Sequence, residues 1–296
     1  MLHRIPPSRA AFGAFFGLIV VAGPVAAQPA AGTMKQDSAS SGSSSVATEG
    51  FEGAKKVEAS KDATEAKVQA GALLSTGNAR TLAATALGSF RMRRGMNEIS
   101  AAAAANYAQG AAGRDEPIET TVENYQGKLR YDRFLTERIA LFAAVSARRD
   151  RFQGLDLRLN FDPGVAYYFF DRPEMQFWGE LGYDLQHDIR RDANIRAAAA
   201  TGEIIDKSDT RHSARGFLGY RHTLREGITL NTGLEYLQGI PDTEYFRINW
   251  DLGFTAAVSQ RFSLATTFGL RYDHHPLPEV ETVDAQTALN LVYQLY

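Results

Sequence analysis

Charged side chains recur at even spacing through the middle of this 296-residue chain. Lys128 and Arg130 are two apart, Glu180 and Asp184 four apart, Arg247 and Asp251 four apart, and Arg215 and Arg221 six apart. Arg158, Glu235 and Arg271 sit in stretches of the same kind. On an extended strand, even spacing puts side chains on one face. A face carrying both signs can do two things. It can knit itself into ion pairs and hydrogen bonds that fill an interior, or it can line a pore with rings of charge that select by size and sign. The excess of arginine among these positions would mildly favour anions.

Other residues carry weaker signals. His187 and His212 end and begin consecutive runs near one rim, and Ser208 and Ser213 lie close to His212 in sequence. A Ser–His pair at the rim of a barrel would suit lipid hydrolysis. No third orienting residue or nucleophile motif accompanies them, so the reading is non-enzymatic. Asp273-His274-His275 has metal-ligand types, but adjacent histidines point apart, and no metal or other cofactor is expected. Arg190 and Arg191, beside Asp192 in the longest connection, carry guanidinium forks suited to phosphate and carboxylate. On an outer loop they would meet lipopolysaccharide.

The elements that must position these side chains are strands. From Val283 the odd positions read Val283, Ala285, Thr287, Leu289, Leu291, Tyr293 and Leu295, alternating with mostly polar residues. The same two-residue period recurs near 65–76, 79–92, 96–109, 120–132, 138–150, 157–170, 174–188, 210–223, 227–238, 244–258, 260–273 and 281–296. A helix would space its apolar residues by three and four, and these runs do not. Ala101–Ala105 alone reads as helix, since alanine is the best helix former; an even strand count requires it to be a strand. The predicted fold is all-β: a transmembrane antiparallel up-and-down barrel of about 12 strands. Eight strands are just filled by side chains and sixteen leave a water channel, so twelve allows either a narrow pore or a plugged lumen.

The connections support this. The longest gaps, 110–119, 189–209 and 274–280, follow odd strands, whereas those after even strands are short. Long extracellular loops and short periplasmic turns are the bacterial pattern. Tyr131, Tyr167, Phe169, Tyr220 and Tyr293 fall near one set of strand ends, and Tyr107, Tyr183, Tyr236, Tyr245 and Tyr272 near the other, as interfacial belts require. A soluble sandwich would alternate too, but it would not explain the loop asymmetry, the aromatic last strand and the export signal together.

That signal occupies residues 1–27. A basic start (His3, Arg4, Arg9) precedes an apolar run too short to span a bilayer, and Val25-Ala26-Ala27 supplies the small residues of a cleavage site. Residues 28–62, rich in Ser and Ala, cannot bury enough apolar surface to order themselves and read as a disordered periplasmic tether, with a short helix near 51–61. Residues 63–296 form the barrel. The chain has no cysteine and hence no disulfide framework. Its 32 Lys and Arg nearly balance 34 Asp and Glu, which gives no electrostatic case for nucleic acid.

Several short motifs add a resemblance. Gly71-Ala72-Leu73-Leu74-Ser75-Thr76-Gly77-Asn78, Tyr131-Asp132-Arg133-Phe134, Arg149-Asp150-Arg151-Phe152 with Gly154, Pro163-Gly164, and Glu180-Leu181-Gly182-Tyr183 resemble the salt-induced outer-membrane protein family, labelled domain of unknown function 481. The resemblance covers residues 63–296. Two stretches depart from the family pattern: Leu295 stands where the family ends on an outward aromatic, and Asp162-Pro163-Gly164-Val165 replaces a glycine-richer segment. The resemblance implies an outer-membrane barrel associated with salt stress, and it carries over no catalytic residue. The expected function is a narrow channel for small polar solutes or an envelope-integrity role under osmotic stress. The alternatives are an outer-leaflet lipid enzyme and a surface interaction protein using the 189–209 loop. The expected partners are outer-membrane lipid, lipopolysaccharide and the barrel-insertion machinery, which would read the C-terminal strand. The mature protein is expected to begin at Gln28; N-terminal sequencing of the membrane-extracted chain checks this, and an intact Met1 would remove the export reading.

Overall fold

The computed structural model describes residues 62–75, 80–111, 117–151, 154–172, 174–200, 202–276 and 282–295. The signal at 1–27, the helix near 51–61 and all of the tether except Asp62 lie outside them. Twelve strands follow in chain order. They are β1 (Ala63–Ser75), β2 (Arg80–Arg94), β3 (Asn97–Ala111), β4 (Glu119–Phe134), β5 (Ile139–Asp150) and β6 (Leu155–Asp171). After them come β7 (Met175–Arg190), β8 (Ser208–Arg225), β9 (Ile228–Ile240), β10 (Phe246–Ala257), β11 (Phe262–Asp273) and β12 (Val283–Gln294). Each pairs antiparallel with its sequence neighbours, and β1 meets β12 to close the barrel. Closure is what lets a sheet cross hydrocarbon, because it leaves no strand edge with unsatisfied backbone groups.

The strands match the sequence reading to within a few residues. Ala101–Ala105 lies inside β3, where the flanking strands β2 and β4 hold it extended against its helical propensity. Among the described residues the helix is α1 (Asp192–Ala200), which lies in the connection read as loop. The turns after even strands are tight: Gly95-Met96 joins β2 to β3, and Glu226-Gly227 joins β8 to β9. Both glycines have positive φ (55° and 76°), which a Cβ would strain.

The side-chain pattern follows the pleat. On β7, Trp178, Glu180, Asp184, Gln186 and Asp188 are buried inside, while Leu181 and Tyr183 face out. Leu129, Val145, Leu218, Leu234, Phe254, Leu264 and Leu289 continue the apolar exterior on other strands. The exposed Tyr131, Tyr167 and Phe169 lie at the short-turn end and the exposed Tyr107 and Tyr236 toward the long-loop end, whereas Tyr183, read as an outer-end aromatic, falls at the middle of β7. Tyr245 departs from that belt: it sits in the β9–β10 turn, half-buried, under the Arg211 guanidinium. Register shifts between Tyr168 and Phe170 turn Phe169 and Phe170 both outward. Among the described residues, no helix is long and apolar enough to cross a membrane.

Leu181 is 76% exposed near the midpoint of β7. Leu181→Arg is therefore expected to cost about 2–4 kcal/mol in a bilayer, as arginine does at the lipid-facing midplane. Denaturant unfolding in vesicles measures it; a change within about 0.5 kcal/mol, typical of an ordinary surface site, would take Leu181 off the lipid face.

Candidate functional site: the barrel lumen

The lumen is built in three levels. Near the short turns it is aromatic. Phe134 ends β4, Tyr168 approaches the end of β6 and Trp178 is the fourth residue of β7; their rings stack in series at 5.9 and 6.4 Å, and Phe217 on β8 packs 6.1 Å from Trp178. Inward-facing glycines make room. A Cβ on Gly164 would lie 2.5 Å from the Phe142 ring, one on Gly233 2.9 Å from Phe217, and one on Gly219 inside the Trp178 ring. Two arginines close the cluster: Arg93 lies 3.8 Å over Phe134 and Arg130 4.0 Å over Phe142.

At mid-height the lumen is ionic. Arg130 on β4 grips Asp132 (2.7 Å) and reaches across the interior, past β5 and β6, to Glu180 on β7 (2.9 Å). Glu180 also takes Arg215 from β8 (2.8 Å), Arg215 binds Glu235 on β9 (2.7 Å), and Asn249 on β10 donates to Glu235 (2.8 Å). One connected network thus spans five strands. Such a lattice satisfies its charges against one another, which burial in low dielectric demands.

Toward the long loops the pairs are more local. Arg158 clasps Asp188 with two bonds (2.7 and 2.6 Å), Arg148 binds Asp150 (2.6 Å), and Arg271 binds Asp251. Gln186 donates to Asp188 and accepts from Arg247 (2.8 Å). Asp162 and Asp184 are both buried and lie at facing positions of β6 and β7, with Asn160 donating to Asp184 (2.8 Å).

Ten of the charged side chains read from even spacing are therefore buried on the inner face: Lys128, Arg130, Arg158, Glu180, Asp184, Arg215, Glu235, Arg247, Asp251 and Arg271. Arg221 is half-buried on the same face of β8, opposite Asn231. Sequence reasoning missed Glu98, Asp132 and Asp188, although Asp132 shares parity with Arg130; Asp162 alternates with the apolar residues of its strand as Arg158 and Asn160 do, but was not among the candidates. It also missed the inward aromatics. Every strand contributes at least one inward side chain less than a tenth exposed, from Gln69 on β1 and Leu87 on β2 round to Thr267 on β11 and Asn290 on β12.

The rim residues take other places. His212 faces lipid and bonds the Tyr183 hydroxyl, while Ser213, one residue on, is buried in the lumen, so the two form no catalytic pair. His187 bonds Thr210 (2.8 Å). His274 bonds Tyr272, and Asp273 accepts the His275 amide. Among the described residues, no cluster of His, Cys, Asp or Glu is arranged for a metal. Arg190 is buried and bound to Asp209 (2.9 Å) and the Asp206 carbonyl, and Arg191 donates to the Arg151 carbonyl (3.1 Å). Both thus help fold the loop around α1. There Lys207 donates to Asp192 (2.6 Å). That bond holds the Asp192 carboxyl below its ordinary value and the Lys207 ammonium above its own, so the contact is charged throughout the neutral range.

A closed antiparallel barrel, apolar outside and ion-paired inside, defines the class as a transmembrane β-barrel. Residues 68–295 match the family described as "Protein of unknown function, DUF481", and the chain belongs to that family. No curated protein sequence matches it. In fold it is similar to a NanC porin (8% identity, TM-score 0.47, covering 77% of this chain and 98% of that one). It is also similar to a KdgM porin (7%, 0.42, 79% and 100%) and to the translocator domain of the autotransporter NalP from Neisseria meningitidis (12%, 0.41, 78% and 86%).

Glu180 joins two arginines from opposite directions. Glu180→Gln is expected to lose about 3 kcal/mol, the low end for breaking a buried pair, because Arg130 keeps Asp132 and Arg215 keeps Glu235. Equilibrium unfolding checks it; a loss under about 1 kcal/mol, the scale of an exposed pair, would mean the network does not depend on its centre.

Proposed function

We propose that the protein is a non-enzymatic barrel of a Gram-negative outer membrane that passes small polar solutes through a lumen gated by its own ion-pair network. It is exported by residues 1–27 and inserted through its C-terminal strand, with α1 and the other long connections outside the cell. One observation carries the solute path: the centre of the lumen is filled by charge rather than by hydrocarbon. A plug needed only for stability is served as well or better by apolar residues, since replacing buried ion pairs with hydrophobic side chains is often neutral or stabilising. Charged groups kept at membrane depth generally mark a route for ions or polar solutes. The network also explains closure, because the Arg130–Glu180 bond crosses the path.

A second reading has its own support. The stacked Phe134, Tyr168 and Trp178 close the short-turn end with rings rather than charges. A lumen sealed there permanently would leave an envelope-integrity role, the one to which the salt-stress association of the family resemblance would attach.

Conductance of the refolded chain in a planar bilayer separates the two. Wild type is expected to give rare, small openings. The Arg130→Ser/Glu180→Ser double variant, which removes the crossing bond, is expected to conduct at least tenfold more on average. Arg271→Glu in that background should shift selectivity toward cations. Silence of all three, with the folded barrel retaining its heat-modifiable mobility on gels, would reject the channel and leave the sealed barrel.

A further inference from the structure

The wall of the barrel is notched at the long-loop end. β9 ends at Ile240, whose partner on β8 is His212. Ser208–Arg211 of β8 continue upward, paired with β7 on one side and, among the described residues, with no strand on the other. A cavity of about 210 Å³ occupies the notch, between β8, the β9–β10 turn and the start of β10. It is smaller than the ~300–1,000 Å³ of drug-sized sites, so its occupant is of monosaccharide size.

Arg247 lines this cavity and differs from its neighbours. Arg130, Arg148, Arg158, Arg190 and Arg215 each hold a carboxylate at 2.6–2.9 Å. Arg247 is buried, yet its carboxylate contact, with Asp184, is 3.9 Å long, and its close bond goes to the neutral Gln186. Asp273, its register partner on β11, takes the His275 amide instead. The acids in the cavity wall are engaged: Asp209 lies between Arg190 (2.9 Å) and Arg211 (2.8 Å), and Asp242 accepts the Glu244 amide. Arg211 rests on the Tyr245 ring at 4.6 Å and adds a second positive charge, while Ser213 supplies a hydroxyl.

We infer that this cavity is an oxyanion site at the lumen mouth, in which the Arg247 guanidinium takes the carboxylate or phosphate of a sugar-sized group. Arg211 and Ser213 flank it, and the Arg247–Gln186 bond holds the fork in place before the ligand arrives. The chemistry is shared by a free acidic sugar and by the head group of lipopolysaccharide at the notch. Only the first depends on the solute path proposed above, which it deepens by naming the solute class.

The test is calorimetric titration of the full refolded chain in detergent with a hexuronic acid, with the corresponding neutral hexose, and with lipopolysaccharide. Binding of the hexuronate but not the hexose, weakened at least tenfold in Arg247→Gln and less in Arg247→Lys, supports a free solute. Lipopolysaccharide binding that falls in the same variants, without hexuronate binding, supports the same site with a lipid source. The inference is overturned if neither anion binds, or if both variants, shown folded by heat-modifiable mobility, bind as wild type does. A silent barrel that still binds hexuronate through Arg247 would sink the channel alone; a conducting barrel indifferent to Arg247 would sink this site alone.

Discussion

Inside a bilayer a backbone amide has no water to bond, and an unpaired one costs several kcal/mol. That constraint organises this molecule. It forces the sheet to close and thereby fixes the two faces of every strand: one toward lipid, one toward the lumen. Closure at twelve strands then sets a second problem, because the ring is wider than one that side chains fill simply by pointing inward. The interior must be wet or must be bridged. This chain bridges it with long arginines that reach past intervening strands and with aromatic rings seated against inward glycines.

The two fillers have different physical consequences. Stacked rings over glycine sockets are held by shape, and a substitution of one methyl group at Gly219 is felt directly by Trp178. The ion-pair network is held by geometry and mutual neutralisation, so its members depend on one another. Glu180 serves Arg130 and Arg215 together, and Arg215 serves Glu180 and Glu235. A network of this kind is stable when complete and costly when one member is lost. The lumen thus combines a packed floor with an electrostatic middle, and at the opposite end Arg191 and Lys207 tie the connection that carries α1 to Arg151 and Asp156.

Much of this was legible in the sequence, and the physics says which part. Strand alternation has a period of two, so Leu181 and Tyr183 outside and Glu180 and Asp184 inside could be read directly. Partners across the lumen could not be read, since Arg130 and Glu180 are separated by two intervening strands and no local period links them. Tyr168, Trp178 and Phe217 were missed for another reason: aromatics were assigned to the lipid interface, although parity puts Trp178 with Glu180 and Tyr168 with Asp162. The inward glycines Gly164, Gly219 and Gly233 were the available signal for rings opposite. The two alanine runs make the complementary point. Ala101–Ala105 became strand because β2 and β4 flank it, whereas Ala197–Ala200, with no strand to pair, followed its propensity into α1.

The joint that closes the ring is unlike the others. Among the described residues, β1 pairs with β2 from Ala63 to Ser75 and with β12 from Lys67 to Ala70, against Gln294 to Leu291, and the Leu295 amide donates to the Ala66 carbonyl beyond that run. Every other joint links consecutive strands and can zip from its own turn. This one must bring together the two ends of the domain. Loop-closure entropy therefore falls on this seam. The barrel behaves mechanically as a rolled sheet with one clasp. Of the twelve joints, it is the one whose formation must wait until both ends of the strand sequence are in place.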